Sequence, residues 1–247
     1  MPPVSGSGRP LRVLCVAPAW NEGSRIARVV ERVPRDLVDV VLVADDGSTD
    51  DTGAQARAAG AVVVRHDQNR GVGAAIRTGI DYGRARGFDV VVIASGGGKS
   101  PPEQIPRLLA PILEGRADFV QGSRYLEGGE FLHMPWSRRW GTRAYTLLFS
   151  LLCARRVTDA SSGIRAFRLS IFEDPRLNPW QPWLDRYELE PYLLFMALRC
   201  GVRVVEVPIR IEYPPATDAL PYTKMRAISG WWSIFRPVLL LALGLRR

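Results

Sequence analysis

An α/β fold, with a mostly parallel sheet covered by helices on both faces, is what this sequence predicts. Three observations carry it. Short apolar runs alternate with helix-length amphipathic stretches through the first half of the chain. Those runs are near-continuously apolar, as in Leu11 to Ala17 and Phe88 to Ile93, which is the pattern of strands buried on both faces. Each run then ends in a turn rich in Asp, Asn, Gly or Pro, at the strand end where open α/β sheets bind ligands.

The elements follow in order. Leu11 to Ala17 is the first strand, and Glu22 to Arg32 has helical spacing through Ile26, Val29 and Val30. Val38 to Ala44 is the second strand. Thr49 or Asp50 can cap the alanine-rich helix that runs to Ala59. Ala61 to Val64 is the third strand, and Gly71 to Arg86 is a helix with Ile76 and Ile80 on one side. The Phe88 strand, the glycine loop Ala94 to Glu103, a helix over Gln104 to Leu113 and a short strand over Asp118 to Gln121 close the alternating half.

The second half reads differently. Arg124 to Pro135 is a loop, and Ser137 to Cys153 is a helix with strongly basic ends, whose Trp, Phe, Leu and Arg suit either an anionic membrane surface or, the reading preferred, a core helix. Ile164 to Leu169 is a short strand and Leu184 to Arg199 a helix. Val202 to Ile211 contains Pro208 and so belongs at a sheet edge or a bulge. Pro214 to Tyr222 is a loop. Met225 to Arg247 is a terminal helix broken near Pro237, with Trp231, Trp232 and Phe235 beside Arg236 suited to an interface or a subunit contact. Residues 1–10 form a polar, disordered tail with no signal peptide, and no run reaches membrane-spanning length. With no internal repeat and no linker, residues 11–247 read as one domain with two halves, 11–125 and 126–247.

Composition narrows the function. The net charge of +8 calls for an anionic partner, such as nucleic acid, an anionic membrane or a phosphorylated substrate. Two histidines rule against a His-based metal site or triad, and the three cysteines lie in apolar contexts without metal-ligand spacing, as in a cytoplasmic protein. Lysine occurs only at Lys99 and Lys224, both in loops rich in Gly, Pro, Ser or Thr, where a compact charge can meet a phosphate. Acidic loops line the same sheet edge and no recognition motif appears, so nucleic acid is set aside.

The loops after the first strands carry the chemistry. Pro18-Ala19-Trp20-Asn21-Glu22, then Asp45-Asp46-Gly47-Ser48-Thr49-Asp50, then Asn69-Arg70-Gly71-Val72-Gly73-Ala74 occur in order. They are followed by Gly122-Ser123-Arg124-Tyr125, Ser161-Ser162-Gly163-Ile164-Arg165 and Tyr222-Thr223-Lys224. This series resembles the family 2 glycosyltransferases of the GT-A type, and within them the dolichyl- or polyprenyl-phosphate mannose and glucose synthases, over roughly residues 11 to 230. The resemblance implies a GT-A (Rossmann-like) fold, with a nucleotide-sugar half and a smaller acceptor-side half. It implies inverting transfer of a hexose from a GDP- or UDP-sugar to a polyprenyl phosphate or similar acceptor. The place of action would be the cytoplasm, peripherally at the cytoplasmic membrane face. Oligomeric state stays open. So do two alternatives, a small soluble acceptor and a non-catalytic nucleotide-sugar-binding paralogue.

Site residues follow. Carboxylates such as Glu22, Asp45 and Asp46 can accept hydrogen bonds from base and ribose, and Pro18 and Trp20 can wall the base. Asn21 and Arg70 complete the donor set, while Asp50 reads as a helix cap. The glycines from Asn69 to Ala75 serve either ligand or helix packing. Counting back from Pro101-Pro102-Glu103, the aspartates of the family's metal-binding D-x-D fall at Ser95 and Gly97, and Lys99 takes the usual glutamine position. Serine and glycine are poor ligands for Mg²⁺ or Mn²⁺. Three readings stand. Lys99, with Arg124 and the Ser95, Gly96 and Gly97 backbone, replaces the cation; or activity is lost; or other residues such as Asp45 recruit a metal. On the acceptor side Arg165 and Lys224 are the phosphate candidates. Glu188, or Glu190 beside it, is the candidate base should the acceptor be an alcohol.

Overall fold

The computed structural model describes residues 9–213 and 227–246. Lys224 and most of the expected tail lie outside the described residues. The last two residues of that expected tail are held in place, with Arg9 paired to Asp89 at 2.8 Å.

The first half alternates as predicted: β1 (Val13–Ala19), α1 (Gly23–Glu31), β2 (Val40–Asp45), α2 (Thr52–Ala58), β3 (Val62–Arg65), α3 (Val72–Ala85), β4 (Val90–Ile93), α4 (Ile105–Leu113) and β5 (Phe119–Ser123). The second half supplies β6 (Glu130–Leu132), α5 (Trp136–Cys153), β7 (Arg165–Arg168), α6 (Leu189–Arg199), β8 (Val204–Pro208), β9 (Arg210–Glu212) and α7 (Ala227–Ala242). Strands β3-β2-β1-β4-β7-β5-β8 form one seven-stranded sheet that takes strands from both halves, and β6 pairs with β9 in a small second sheet.

Alternation along each strand serves both faces. Leu14 and Val16 of β1 pack with Leu42, Val91 and Phe167 beneath Ile76, Phe149, Leu193 and Val238. Cys15 and Ala17 pack the opposite way, with Val41, Val92 and Ala166 against Ile26, Val30, Leu108 and Leu109. Burying each of the larger side chains contributes about 1.5–3 kcal/mol, so β1, walled on both sides, forms the spine of the sheet.

The sheet is parallel except at β7. That strand enters antiparallel between β4 and β5, with Val91 opposite Phe167 and Phe119 opposite the same residue. Pro208 ends β8 at the sheet edge, as its missing N–H requires, and the chain leaves to form β9 beside β6. β6 falls inside the stretch expected to be loop. The helix expected from Leu184 begins only at Leu189, after a separate 3-10 turn over Pro182–Leu184.

Two expectations for the helices need correction. α7 runs unbroken through Pro237, whose ring removes only the bond to the Ser233 carbonyl. Its aromatic residues are divided between core and surface: Trp231 lies against Gly141 and the Phe235 ring sits 5.0 Å from that of Tyr145, while Trp232 is exposed. α5 buries Tyr145, Phe149 and Cys153 as a core helix should, but it also leaves Trp136 and Trp140 exposed.

Candidate functional site

The carboxyl ends of β1, β2 and β4 converge on a cleft made of two cavities. The first, of about 480 Å³, has Pro18, Ala19, Trp20 and Glu22 on one wall, with Asp46, Asn69, Gly71 and Ala75 opposite. Arg186, Tyr187, Gly230 and Ser233 close it. The second, of about 290 Å³, is lined by Ser95, Gly96, Gly97 and Lys99 with Arg124, Arg138, Ser162, Glu190 and Tyr213. Pro18, Glu22, Val72 and Tyr187 line both, so the two are continuous.

The loops of the first cavity are cross-tied by side chains. Asn21 sits at φ 51°, in the left-handed region that asparagine tolerates. Its Oδ1 accepts from the Thr49 N–H at 2.8 Å, and its own N–H donates to Ser48 Oγ at 3.0 Å. Asp50 accepts from the N–H of Gly23 at 3.0 Å and from that of Thr52, so it fastens both loops; the residue at the N-cap of α2 is Asp51, one position beyond the cap expected. Asp45 is fully buried and accepts from the Ser48 N–H at 3.0 Å, which makes it a brace beneath the loop; it does not line the cleft. Asp46 does line the cavity. It also accepts from the N–H groups of Arg70 and Gly71, each at 2.8 Å, and lies 2.7 Å from His66 Nδ1. Three of its roughly four acceptor sites are therefore taken by its own protein. The Arg70 side chain is exposed and does not line the cavity, so Arg70 contributes a backbone tie instead of the donor contact expected.

Gly71 and Gly73 settle into packing. A Cβ on either would run into the backbone of Leu184 to Arg186, which the start of α3 approaches closely. That approach brings Arg186 and Tyr187 to the cleft, residues to which the sequence assigned no site role. The one signal for them was the glycine spacing at the far side of the contact.

The loop after β4 is built from glycine. A Cβ on Gly96 would collide with the Pro18 carbonyl, and one on Gly97 would lie 2.9 Å from Glu22 Oε1. The Lys99 carbonyl accepts from the Glu212 N–H at 2.7 Å, which ties the loop to β9. Around this loop the residues do not fit a divalent cation. Ser95 and Gly97 occupy the positions where carboxylates would be needed, and among the described residues no three His, Cys, Asp or Glu side chains gather as a metal cluster.

Three expected site residues prove to be spent elsewhere. Arg124 is buried and held bidentately by Asp159, at 2.7 and 2.8 Å, with further bonds to Ser161 Oγ and the Tyr213 hydroxyl. Burial alone would push the Asp159 carboxyl up. The guanidinium beside it outweighs burial and holds it below the ordinary carboxylate range. Arg124 borders the second cavity, but its charge is already matched. Arg165 is 1% exposed and donates to the carbonyls of Glu190 and Ser162, so it cannot meet an acceptor phosphate. Glu188 turns to α7, where its Oε1 accepts from Arg236 at 3.2 Å, and it lines neither cavity. Glu190, two residues on, is the acidic group that reaches the cleft. Burial raises its carboxyl and Arg165 pulls it back in part.

A family model described as Glycosyl transferase family 2 matches residues 15–175. An undecaprenyl-phosphate mannosyltransferase of Micrococcus luteus is 36% identical over 206 residues, 81% of this chain and 83% of its own. A polyprenol monophosphomannose synthase of Mycolicibacterium smegmatis is 33% identical over 205 residues, 80% of this chain and 76% of its own. Among solved structures, glucosyl-3-phosphoglycerate synthase of Mycobacterium tuberculosis, crystallised with Mn²⁺, UDP and phosphoglyceric acid, superposes with a TM-score of 0.70 at 23% identity. That match covers 96% of this chain and 80% of the other. At that identity the likeness is one of fold, the GT-A fold.

Proposed function

This chain belongs to glycosyl transferase family 2 and is a glycosyltransferase, and from that premise we propose that it moves a hexose from a GDP- or UDP-sugar to the phosphate of a polyprenyl phosphate. The observation that carries the reading is the continuous cleft, whose first cavity has Trp20 and Pro18 on its wall and whose second has Lys99. The nucleobase lies against Pro18 and Trp20, and the diphosphate reaches toward the glycine loop. A phosphate oxygen of the acceptor attacks the anomeric carbon as its bond to the nucleoside diphosphate breaks, with inversion at that carbon. The electron pair goes to the leaving diphosphate, where Lys99 and the loop N–H groups offset the developing charge. The attacking oxygen is already anionic, so no general base is required. This accords with a cleft where, among the described residues, the carboxyl lining it beyond Glu22 and Asp46 is the buried Glu190. The relatives' names, undecaprenyl-phosphate and polyprenol transferases, support the acceptor.

The test is transfer of radiolabelled hexose from UDP- and GDP-sugars to a short-chain polyprenyl phosphate in detergent, with and without chelator. A small phosphorylated acid runs as the competing acceptor. Lipid-linked product formed in chelator is the expected result. Transfer only to the small acid would replace the acceptor, and activity abolished by chelator would remove Lys99 from its assigned role.

A further inference from the structure

The outward face of α5 groups four large apolar side chains in the open. Trp136, Trp140, Leu147 and Leu151 are 76%, 63%, 63% and 69% exposed. Their spacing places them on one stripe of the helix, about 22 Å long at 1.5 Å per residue. The stripe lies opposite the face that buries Thr142, Tyr145, Phe149 and Cys153. α5 carries no Asp or Glu. Arg139 and Arg143 flank the stripe, and Arg155 and Arg156 follow its end, all exposed. Large exposed apolar side chains grouped this way mark an interaction surface. Tryptophan bordered by arginine suits the boundary between headgroups and acyl chains.

The same helix also reaches the cleft, because Arg138 lines the second cavity beside Lys99. One element thus borders the cleft with one side chain and presents tryptophan outward with its neighbours. We infer that the outer face of α5 docks on an anionic lipid bilayer, seating the mouth of the cleft at the membrane surface. The inference deepens the polyprenyl-phosphate reading and rests on it for its purpose, but the docking itself requires neither donor nor acceptor.

The experiment is co-sedimentation of the full chain with phosphatidylcholine vesicles, with and without phosphatidylglycerol, in the absence of nucleotide and polyprenyl phosphate. The comparison is a chain carrying Trp136→Gln, Trp140→Gln, Leu147→Gln and Leu151→Gln together, checked for native circular dichroism. The wild type is expected to bind the phosphatidylglycerol vesicles and to release as salt screens the arginines. The variant is expected to bind them at least tenfold more weakly, while its transfer to short-chain acceptor in detergent stays at the wild-type rate. Absence of wild-type binding, equal binding by the variant, or a wild-type dimer that the variant dissociates would overturn the inference. In the last case a second copy of the chain covers the face. A chain that binds vesicles yet transfers nothing to polyprenyl phosphate would overturn the acceptor reading and leave this one standing.

Discussion

The loops after β1 and β2 and the loop after β4 border the same cleft and are built in opposite ways. The first two are fastened by side chains: Asn21 and Asp50 tie them to each other, and Asp46 grips the backbone of Arg70 and Gly71. The third is fastened by the lack of side chains. Gly96 and Gly97 press its backbone onto Pro18 and Glu22, and its one cation, Lys99, lines the cavity. The contrast separates two jobs that one motif list runs together. Asp45, Asp46 and Asp50 mainly stiffen a wall. The charge that we assign to the donor diphosphate comes from the loop that gave carboxylates up.

The most severe way to break that division is to disturb a buried pair on the scaffold side. Asp159→Ala leaves Arg124 buried without its partner, and chemical denaturation should show a loss of about 3–5 kcal/mol. The wild-type pair also has a pH signature. Asp159 is held below its ordinary value near 3.9, so its contribution is present above about pH 4 and is lost as pH falls through the lower, folded value. Acid unfolding of Asp159→Asn should lack that component. Next in size, Lys99→Ala should weaken nucleotide-sugar binding by about 1.5–3 kcal/mol, ten- to a hundredfold by calorimetry. Unchanged affinity would remove the charge from the donor site. Gly96→Ala tests how the loop is built. Its methyl group meets the Pro18 carbonyl, and urea unfolding should register a loss of about 1–3 kcal/mol. Trp20→Ala is the mildest: at 40% exposure the ring has only part of its area to give, and binding should fall by about 0.5–1.5 kcal/mol.

How much of this was legible in the sequence depends on range. The alternating first half was readable because apolar runs and helical spacing are local, and the ligand loops because they close those runs. The antiparallel entry of β7 was not, since Arg165 to Arg168 carry no mark of the strands on either side. The same holds for the arginines. Arg124 and Arg165 have the residue type of a phosphate site. What fixes their roles is Asp159, 35 positions away from Arg124, and the carbonyls of Ser162 and Glu190. Glu188 and Glu190 are neighbours in the chain but face opposite ways on a helix, one to Arg236 and one to the cleft. Glycine was the better informant: the closeness of Gly71 and Gly73 follows from what they lack.

The antiparallel strand has a consequence for how the chain is made. β5 and β8 join the sheet only through β7, and β7 is also the strand that covers the inner edge of β4. During synthesis, a ribosome-bound chain that stops short of Arg165 exposes that edge as an unpaired template, although every element of the first half has already been translated. Closing the edge requires a partner from about 75 residues downstream, a long-range step of the kind that slows folding. Nascent chains arrested with β4 emerged from the ribosome but β7 not yet out should therefore be the species that aggregate or recruit chaperones, and those with β7 fully emerged should not.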